Sequence, residues 1–394
     1  MESRKRLLFN VCFSVVALML LEAIARVAAW KYHPFARINP AVIADPVIHH
    51  TYVPSFTAEG LPYALHINRQ SWPEDRDIVQ RKRPGVFRIF MVGDSNTQGY
   101  VDPAARWVTL VGNTLNERAD HGLSAIKSFE VVNAGRVSYS PLLYYLHIRD
   151  QILRFSPDLV VINVDMSDCR DDAVYRLLMQ TNNVGEVLAV LPRQDLLRSQ
   201  GLIMTPSGVR RLTVGERAAR WCVERSTFLK FLQMIATRIA GRFIGSQKNQ
   251  DSNVPSGTPG NNGITNVLHA NWLETPWSAD VKSNVAFSMT MLEKSIELLR
   301  ENGVDCLIVG VPHYSQFIGQ GSTRPFEELA DVAHRQHVLF LNLYEALAPK
   351  ISNAGQTEYY QLGDPVHFNE RGNQLWADAF LAFWERNQTS YFAK

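Results

Sequence analysis

Cysteine is scarce. Cys12, Cys169, Cys222 and Cys306 are spread through 394 residues. Cys12 lies in an apolar run, so at most three of them could join a disulfide framework, and cysteine does not fix the redox compartment. Zinc-type Cys/His spacing and a His-Glu-x-x-His run are both missing, so the chain gives no sign of a metal and no cofactor is expected. Charge of one sign is missing too. The formal net charge is +2, which provides no global basic field for nucleic acid. Internal repeats are absent. What the chain has is apolar content, 46% hydrophobic residues, enough to bury a large core.

The longest apolar run is at the start. A basic head, "MESRKR", precedes "LLFNVCFSVVALMLLEAIARVAAW", which is broken only by Asn10, Ser14, Glu22 and Arg26. A membrane span needs about 20 predominantly apolar residues, so the unbroken part is short. Three readings stay open: a retained signal anchor, a cleaved signal peptide and a buried helix. No clean small-x-small cleavage site precedes an obvious mature start, although "AIARVAAW" could serve. The basic head puts the N-terminus in the cytoplasm on the first two readings and leaves the bulk of the chain extracytoplasmic. The expected organisation is a head and anchor over 1–30, a Pro-rich lead-in over 31–83 and a main domain over 84–394.

Within that domain, strands and helices alternate. "FRIFMV" (Phe87–Val92), "FEVVNAG" (Phe129–Gly135), "DLVVINVD" (Asp158–Asp165), "DCLIVGVP" (Asp305–Pro312) and "VLFLNL" (Val338–Leu343) read as strands. Helices are expected near Ala104–Asn116, Pro141–Phe155, Val281–Glu301, Pro325–His334 and Asn369–Arg386. Continuous apolar strands alternating with helices imply an α/β fold, a three-layer sandwich around a five-stranded parallel sheet. The rhythm breaks over 173–277, which reads as an inserted cap. It contains a helical stretch, "GERAARWCVERSTFLKFLQMIATRIAGRF", and a Gly/Pro/Ser/Asn loop at 245–263. Trp221, Trp272 and Trp277 flank or occupy it. They could stack on sugar rings, though core packing is the commoner fate.

Ligands of such sheets bind beyond the carboxyl ends of the strands. "GDSN" (Gly93–Asn96), "NAGR" (Asn133–Arg136) and "DMSD" (Asp165–Asp168) stand at those ends. Ser95 alone reads as turn punctuation or a helix cap. A serine becomes a nucleophile when a histidine can take its proton and a carboxylate orients that histidine. "GDPVHFNERG" supplies both: Asp364 and His367 are three residues apart, within one turn of chain, just before the last helix. His313, in "GVPHYSQF", follows another strand end and reads as a histidine on a surface loop.

These blocks resemble the SGNH (GDSL-type) hydrolases, whose Ser, Gly, Asn and His stand in four separated motifs. "GDSNTQG" matches the serine block, "NAGRVSYS" the glycine block and "DPVHFNERG" the histidine block. The asparagine block departs: Ser167 stands where the family has asparagine, before Asp168. The likeness spans about residues 84–172 and 278–394 and leaves the insertion unaccounted for. The lead-in "INRQSWPEDRDIVQRKRPGVFRIFMVGDS" also resembles membrane-anchored SGNH proteins of bacterial envelopes. The resemblance implies a flavodoxin-like fold and an acyl-enzyme mechanism, with Ser95 as nucleophile, His367 as base and Asp364 orienting it. The oxyanion donors would be the amides of Ser95 and Gly135, with Ser167 standing in for asparagine, while Asn96 or Asn163 could also reach in. The expected substrate is an O-acyl (O-acetyl) group of an envelope or extracellular glycan, with the membrane as the other partner, no nucleic acid and a periplasmic location. An O-acetyltransferase using the same triad, or a non-catalytic envelope assembly protein on the same frame, are the alternatives.

Overall fold

The computed structural model describes residues 2–32, 42–58, 63–119, 126–193, 202–205, 208–229 and 271–388, with Leu197 and Leu232. They divide into two compact units, one of 41–193 and 263–394, the other of 1–40 and 194–262.

The larger unit holds the sheet. Its strands are β1 (Val86–Val92), β2 (Ser128–Asn133), β3 (Leu159–Asp165), β4 (Asp305–Val311) and β5 (Leu339–Asn342). All are parallel, in the order β5-β4-β3-β1-β2. These are the five strands read from the sequence, shifted by a residue or two at their ends. The order reverses between β1 and β3, which opens a crevice at the carboxyl ends of those strands.

Successive residues of each strand point to opposite faces, and both faces are covered. Phe90, Val92, Val160, Ile162 and Ile308 enter one core, packed with the helices Pro141–Asp150 and Ala279–Glu301. Ile89, Met91, Val161, Leu307 and Val309 enter the other, packed with Trp107–Ala119 and Glu370–Asn387. Burial on both faces explains why the strands read as unbroken apolar runs. The lead-in belongs to this unit: Tyr52, Trp72 and Ile78 are all buried. So do the two flanks of the expected insertion. Tyr175, Val187 and Val190 on one side, and Trp272 and Trp277 on the other, lie in the first core, so the unit boundaries fall at 193 and 263 rather than at 173 and 277. Trp272 and Trp277 are thus packing residues, while Trp221, in the other unit, is 56% exposed.

In the smaller unit, the N-terminal helix runs from Glu2 to Tyr32. Phe9, Phe13, Val16, Met19 and Leu20 on it are exposed. Glu22, the acid inside the apolar run, accepts hydrogen bonds from the Ser226 hydroxyl (2.8 Å) and the amides of Thr227 (3.0 Å) and Phe228 (3.1 Å). Among the described residues no helix is long and apolar enough to cross a membrane. A helix at Val214–Arg225 begins with a capping box, Thr213 and Glu216. Of the rest of the expected helical stretch, 226–229 and Leu232 are described, and the remainder lies outside the described residues, as does the 245–263 loop.

Candidate active site

The turn after β1 begins at Gly93, where a Cβ would lie 2.8 Å from the Thr97 Cβ. Asp94 caps the short helix α1 (Ser95–Gln98) by accepting from the Asn96 amide at 2.8 Å. Ser95 occupies the first helical position, where an amide has no intrahelical partner. Its hydroxyl lies 2.8 Å from His367 Nε2 and 3.3 Å from Asp94 Oδ2.

His367 arrives from the other end of the chain, on a turn built around Asp364. Asp364 Oδ1 accepts from the amides of Val366 (3.0 Å) and His367 (3.3 Å). That arrangement aims Oδ2 at His367 Nδ1, 2.6 Å away. Burial alone pushes the Asp364 carboxyl up. The hydrogen bond and charge of His367, with the two amides, more than reverse this and hold it at about 2. With Asp364 ionised, Nδ1 carries the proton and Nε2 is left as an acceptor for the serine proton. The Ser95 side chain is buried, and His367 and Asp364 are 16% and 34% exposed, so solvent reaches the dyad but not freely. Sequence separations of 272 and 3 residues thus close into one hydrogen-bonded run, Ser95–His367–Asp364.

The expected oxyanion donors fare differently. The Gly135 amide donates to Asn133 Oδ1 at 3.0 Å. The glycine is required for another reason: a Cβ there would strike the Gln98 amide nitrogen and sit 2.9 Å from Asp94 O. Asn133 Nδ2 in turn donates to the carbonyls of Thr97 and Gln98, both at 3.1 Å. The glycine block therefore clamps the serine turn against β2, and its amide is already spent. Tyr52 extends the clamp by accepting from the Val137 amide at 2.9 Å and donating to Gln98 Oε1. Ser167 is not aimed at the nucleophile either. Its hydroxyl and its amide both donate to Asp165 Oδ1 at 2.7 Å. Asn163 donates to the Val92 carbonyl (2.9 Å) and Asn96 to Asp165 Oδ2 (2.8 Å), which engages both of the other amides considered for that role.

His313 is a further correction. It is buried, 8% exposed, and its Nε2 lies 3.1 Å from both Asp165 oxygens. Its amide donates to Gln316 Oε1 at 3.0 Å, and its carbonyl accepts from the Gln316 amide at 3.1 Å. The contact with Asp165 ties the loop after β4 to the end of β3. Burial pushes the Asp165 carboxyl up, but His313 and the two Ser167 donors bring it down to about 2.

The acid oxygens of Asp94, Asp165 and Asp168 lie within 4.8 Å of one another, all buried. Asp168 Oδ2 accepts from the Tyr144 hydroxyl (2.9 Å) and the Asp165 amide (3.0 Å). Burial, reinforced by the neighbouring acids, pushes both Asp94 and Asp168 well above the usual carboxylate range. The same burial and mutual repulsion favour the protonated form of these two acids beside Asp165.

Sequence reasoning passed over Tyr100, the last residue of the quoted serine block. Gly99, at φ +79°, turns the chain so that the Tyr100 ring lies over His367, with centroids 4.4 Å apart and 30° between planes. Its hydroxyl interacts with the Ser95 side chain. Gln361 Nε2 donates to the Tyr100 carbonyl (3.0 Å), and the Gln361 amide donates to the His367 carbonyl (2.9 Å), which ties Tyr100 to the histidine loop.

No family model and no curated protein matches the chain. Among solved structures, it is similar to a lipase/acylhydrolase from Enterococcus faecalis, at 15% identity and a TM-score of 0.38, over 76% of this chain and 96% of that one. It is also similar to a two-domain esterase active on acetylated mannans (11%, TM-score 0.42, 77% and 50%). A catalytic mutant of an acetylxylan esterase from Geobacillus stearothermophilus is a third (10%, 0.39, 75% and 93%). Likeness of this degree assigns no activity here.

Proposed function

We propose that this chain is a serine ester hydrolase of the SGNH type, working through an acyl-enzyme. The observation that carries the reading is the run Ser95 Oγ–His367 Nε2 at 2.8 Å and His367 Nδ1–Asp364 Oδ2 at 2.6 Å, at the switch point of a parallel sheet. Ser95 Oγ attacks the ester carbonyl carbon while its proton passes to His367 Nε2. Asp364 holds the ring and offsets its charge. The oxyanion is met by the Ser95 amide at the start of α1. As the carbonyl re-forms, the C–O bond to the alcohol breaks and His367 returns the proton to the leaving oxygen. Water then repeats the sequence on the acyl-enzyme, releasing the acid and restoring Ser95.

The substrate we propose is an O-acyl group of an extracellular or envelope glycan, with the chain held at a membrane by its N-terminal helix. The support is the basic head followed by the apolar run, and the exposed Phe9, Phe13, Val16, Met19 and Leu20 on that helix. Large apolar side chains left exposed along one helix mark a surface that meets a membrane or a partner. An extracytoplasmic catalytic unit follows from the same charge pattern.

Fluorophosphonate labelling of the full chain, with peptide mapping, tests the chemistry. The expected adduct is on Ser95, lost in Ser95→Ala. Unlabelled protein with an intact fold would instead favour the non-catalytic assembly reading. Release of acetate from an acetylated glycan, with or without an added acceptor sugar, separates hydrolysis from transfer. Membrane fractionation in high salt tests the anchor, and full-length protein in the soluble fraction would remove it.

A further inference from the structure

A cavity of about 390 Å3 is lined in part by Tyr100, whose ring lies over His367, and the triad chemistry makes no use of it. Tyr63, Tyr100, Asp102, Glu358, Glu370 and Arg371 are among its lining residues. Its size falls in the roughly 300–1,000 Å3 range of small-molecule sites. It is coupled to the reaction centre by an aromatic stack: Tyr63 lies on Tyr100 (centroids 5.5 Å, 15° between planes), and Tyr100 lies on His367.

We propose that this cavity is a subsite for a sugar ring of the substrate that bears no carboxylate, with Tyr63 as its stacking wall. The inference rests on the esterase reading and adds the class of glycan to it. Three features argue for it. Tyrosine presents an electron-rich face that attracts the weakly positive C–H groups of a pyranose, and a hydroxyl that can bond it. The carboxylates of Asp102, Glu358 and Glu370, with the side chain of Gln361, offer acceptors to sugar hydroxyls. Three acids against one cation, Arg371, make the lining net negative. That repels a uronic acid and accepts a neutral or amino sugar. A ring seated here is linked through Tyr100 to His367, so the acyl group on an adjoining position of the glycan is the one presented to Ser95.

The test compares wild-type full-length protein with Tyr63→Ala and Tyr63→Phe on three esters: acetylated xylo-oligosaccharide, acetylated oligogalacturonate and p-nitrophenyl acetate, the last too small to fill the cavity. In Tyr63→Ala the ratio of kcat/KM on the xylo-ester to that on p-nitrophenyl acetate falls tenfold or more, mainly through KM, and Tyr63→Phe restores most of it. Wild type prefers the xylo-ester to the galacturonate, and Glu358→Gln with Glu370→Gln narrows that preference. An unchanged ratio in Tyr63→Ala, or a preference for the galacturonate, overturns the subsite. If no ester is turned over and Ser95 takes no fluorophosphonate, the esterase reading fails by itself. The cavity is then judged by saturation-transfer NMR with xylotetraose: a signal in wild type that Tyr63→Ala abolishes supports the subsite, and no signal in wild type removes it.

Discussion

Two His–Asp pairs stand at the carboxyl edge of the same sheet, and they have opposite fates. In His367–Asp364 the second imidazole nitrogen faces a serine hydroxyl, and the carboxylate is 34% exposed. In His313–Asp165 the ring contact is with both carboxylate oxygens, and that carboxylate is fully buried, with further donors from Asn96 and Ser167. Residue type is alike, but what the ring faces beyond its carboxylate is not. A histidine can move a proton only if one nitrogen is left for the reacting group. The first pair sets a nitrogen against the Ser95 hydroxyl, and the second joins β3 to the loop after β4.

The same chemical change in each pair should therefore read out differently. Asp364→Asn removes the acceptor that fixes Nδ1–H, and kcat on a small ester should fall on the order of 10^4-fold with the melting temperature little changed. Asp165→Asn should leave kcat within about tenfold. Equal collapse of activity in both, in folded protein, would make the second pair a part of the catalytic machinery and end the distinction.

Stability should show the reverse order. His313→Ala leaves the Asp165 carboxylate buried beside Asp94 and Asp168 with its charged-capable partner gone. Breaking a buried pair in this way costs about 3–5 kcal/mol. Urea denaturation should show that loss. The matching His367→Ala, at a more exposed site, should cost well under half as much. A His313→Ala protein as stable as wild type would mean that Asp165 is already neutral.

Acid titration sharpens the same contrast. Asp364 and Asp165 are both held at about 2, below the usual 3.8. A depressed acid contributes stability above its unfolded value, and that contribution is lost as pH falls from about 3.8 through about 2. The fully buried Asp165 should dominate this loss, since solvent screens Asp364. Melting curves of Asp165→Asn between pH 4 and pH 2 should thus be flatter than wild type, and a curve as steep as wild type would count against the assignment. Asp168 behaves oppositely. Its raised value gives stability that is present at low pH and lost as pH rises through the folded value. Asp168→Asn keeps acceptors for Tyr144 and the Asp165 amide without the titratable proton. It should raise the melting temperature by a few degrees at most, more at pH 7 than at pH 4. A decrease that grows with pH would contradict this.

The pattern of the chain made the frame legible because both faces of the sheet are buried: five apolar runs separated by amphipathic ones left little choice of architecture. Ser95, Asp364 and His367 were legible because each stands in a short motif whose chemistry has a reason. The rest depended on partners that spacing does not encode. His313 and Asp165 are 148 residues apart, and nothing local marks either as buried. Gly135 was read as a donor, yet its amide folds back on Asn133, and it is the missing side chain that matters. Tyr100 sat in the quoted motif, but its approach to His367 needs the turn at Gly99 and the returning histidine loop. The insertion looked longer than it is because Tyr175, Val187, Trp272 and Trp277 carry no periodic signal, though all four enter the core.

The smallest expected effect falls on the residue in the family's asparagine position. Ser167 Oγ donates to Asp165 Oδ1 at 2.7 Å, so it supports the structural pair rather than the reaction. Ser167→Ala removes one hydrogen bond to an ionised acceptor, while the Ser167 amide and His313 remain bonded to that carboxylate. The loss should be about 1–2 kcal/mol of stability, with kcat within about threefold of wild type. A true oxyanion donor would cost roughly 100-fold or more. Ser167→Asn sharpens the point. If the position faced the reacting carbonyl, a carboxamide would raise turnover. Held toward Asp165, it should bond that carboxylate instead and leave kcat where it was. A rise of tenfold or more in Ser167→Asn, or a comparable fall in Ser167→Ala, would move this residue from the buried pair to the reacting one.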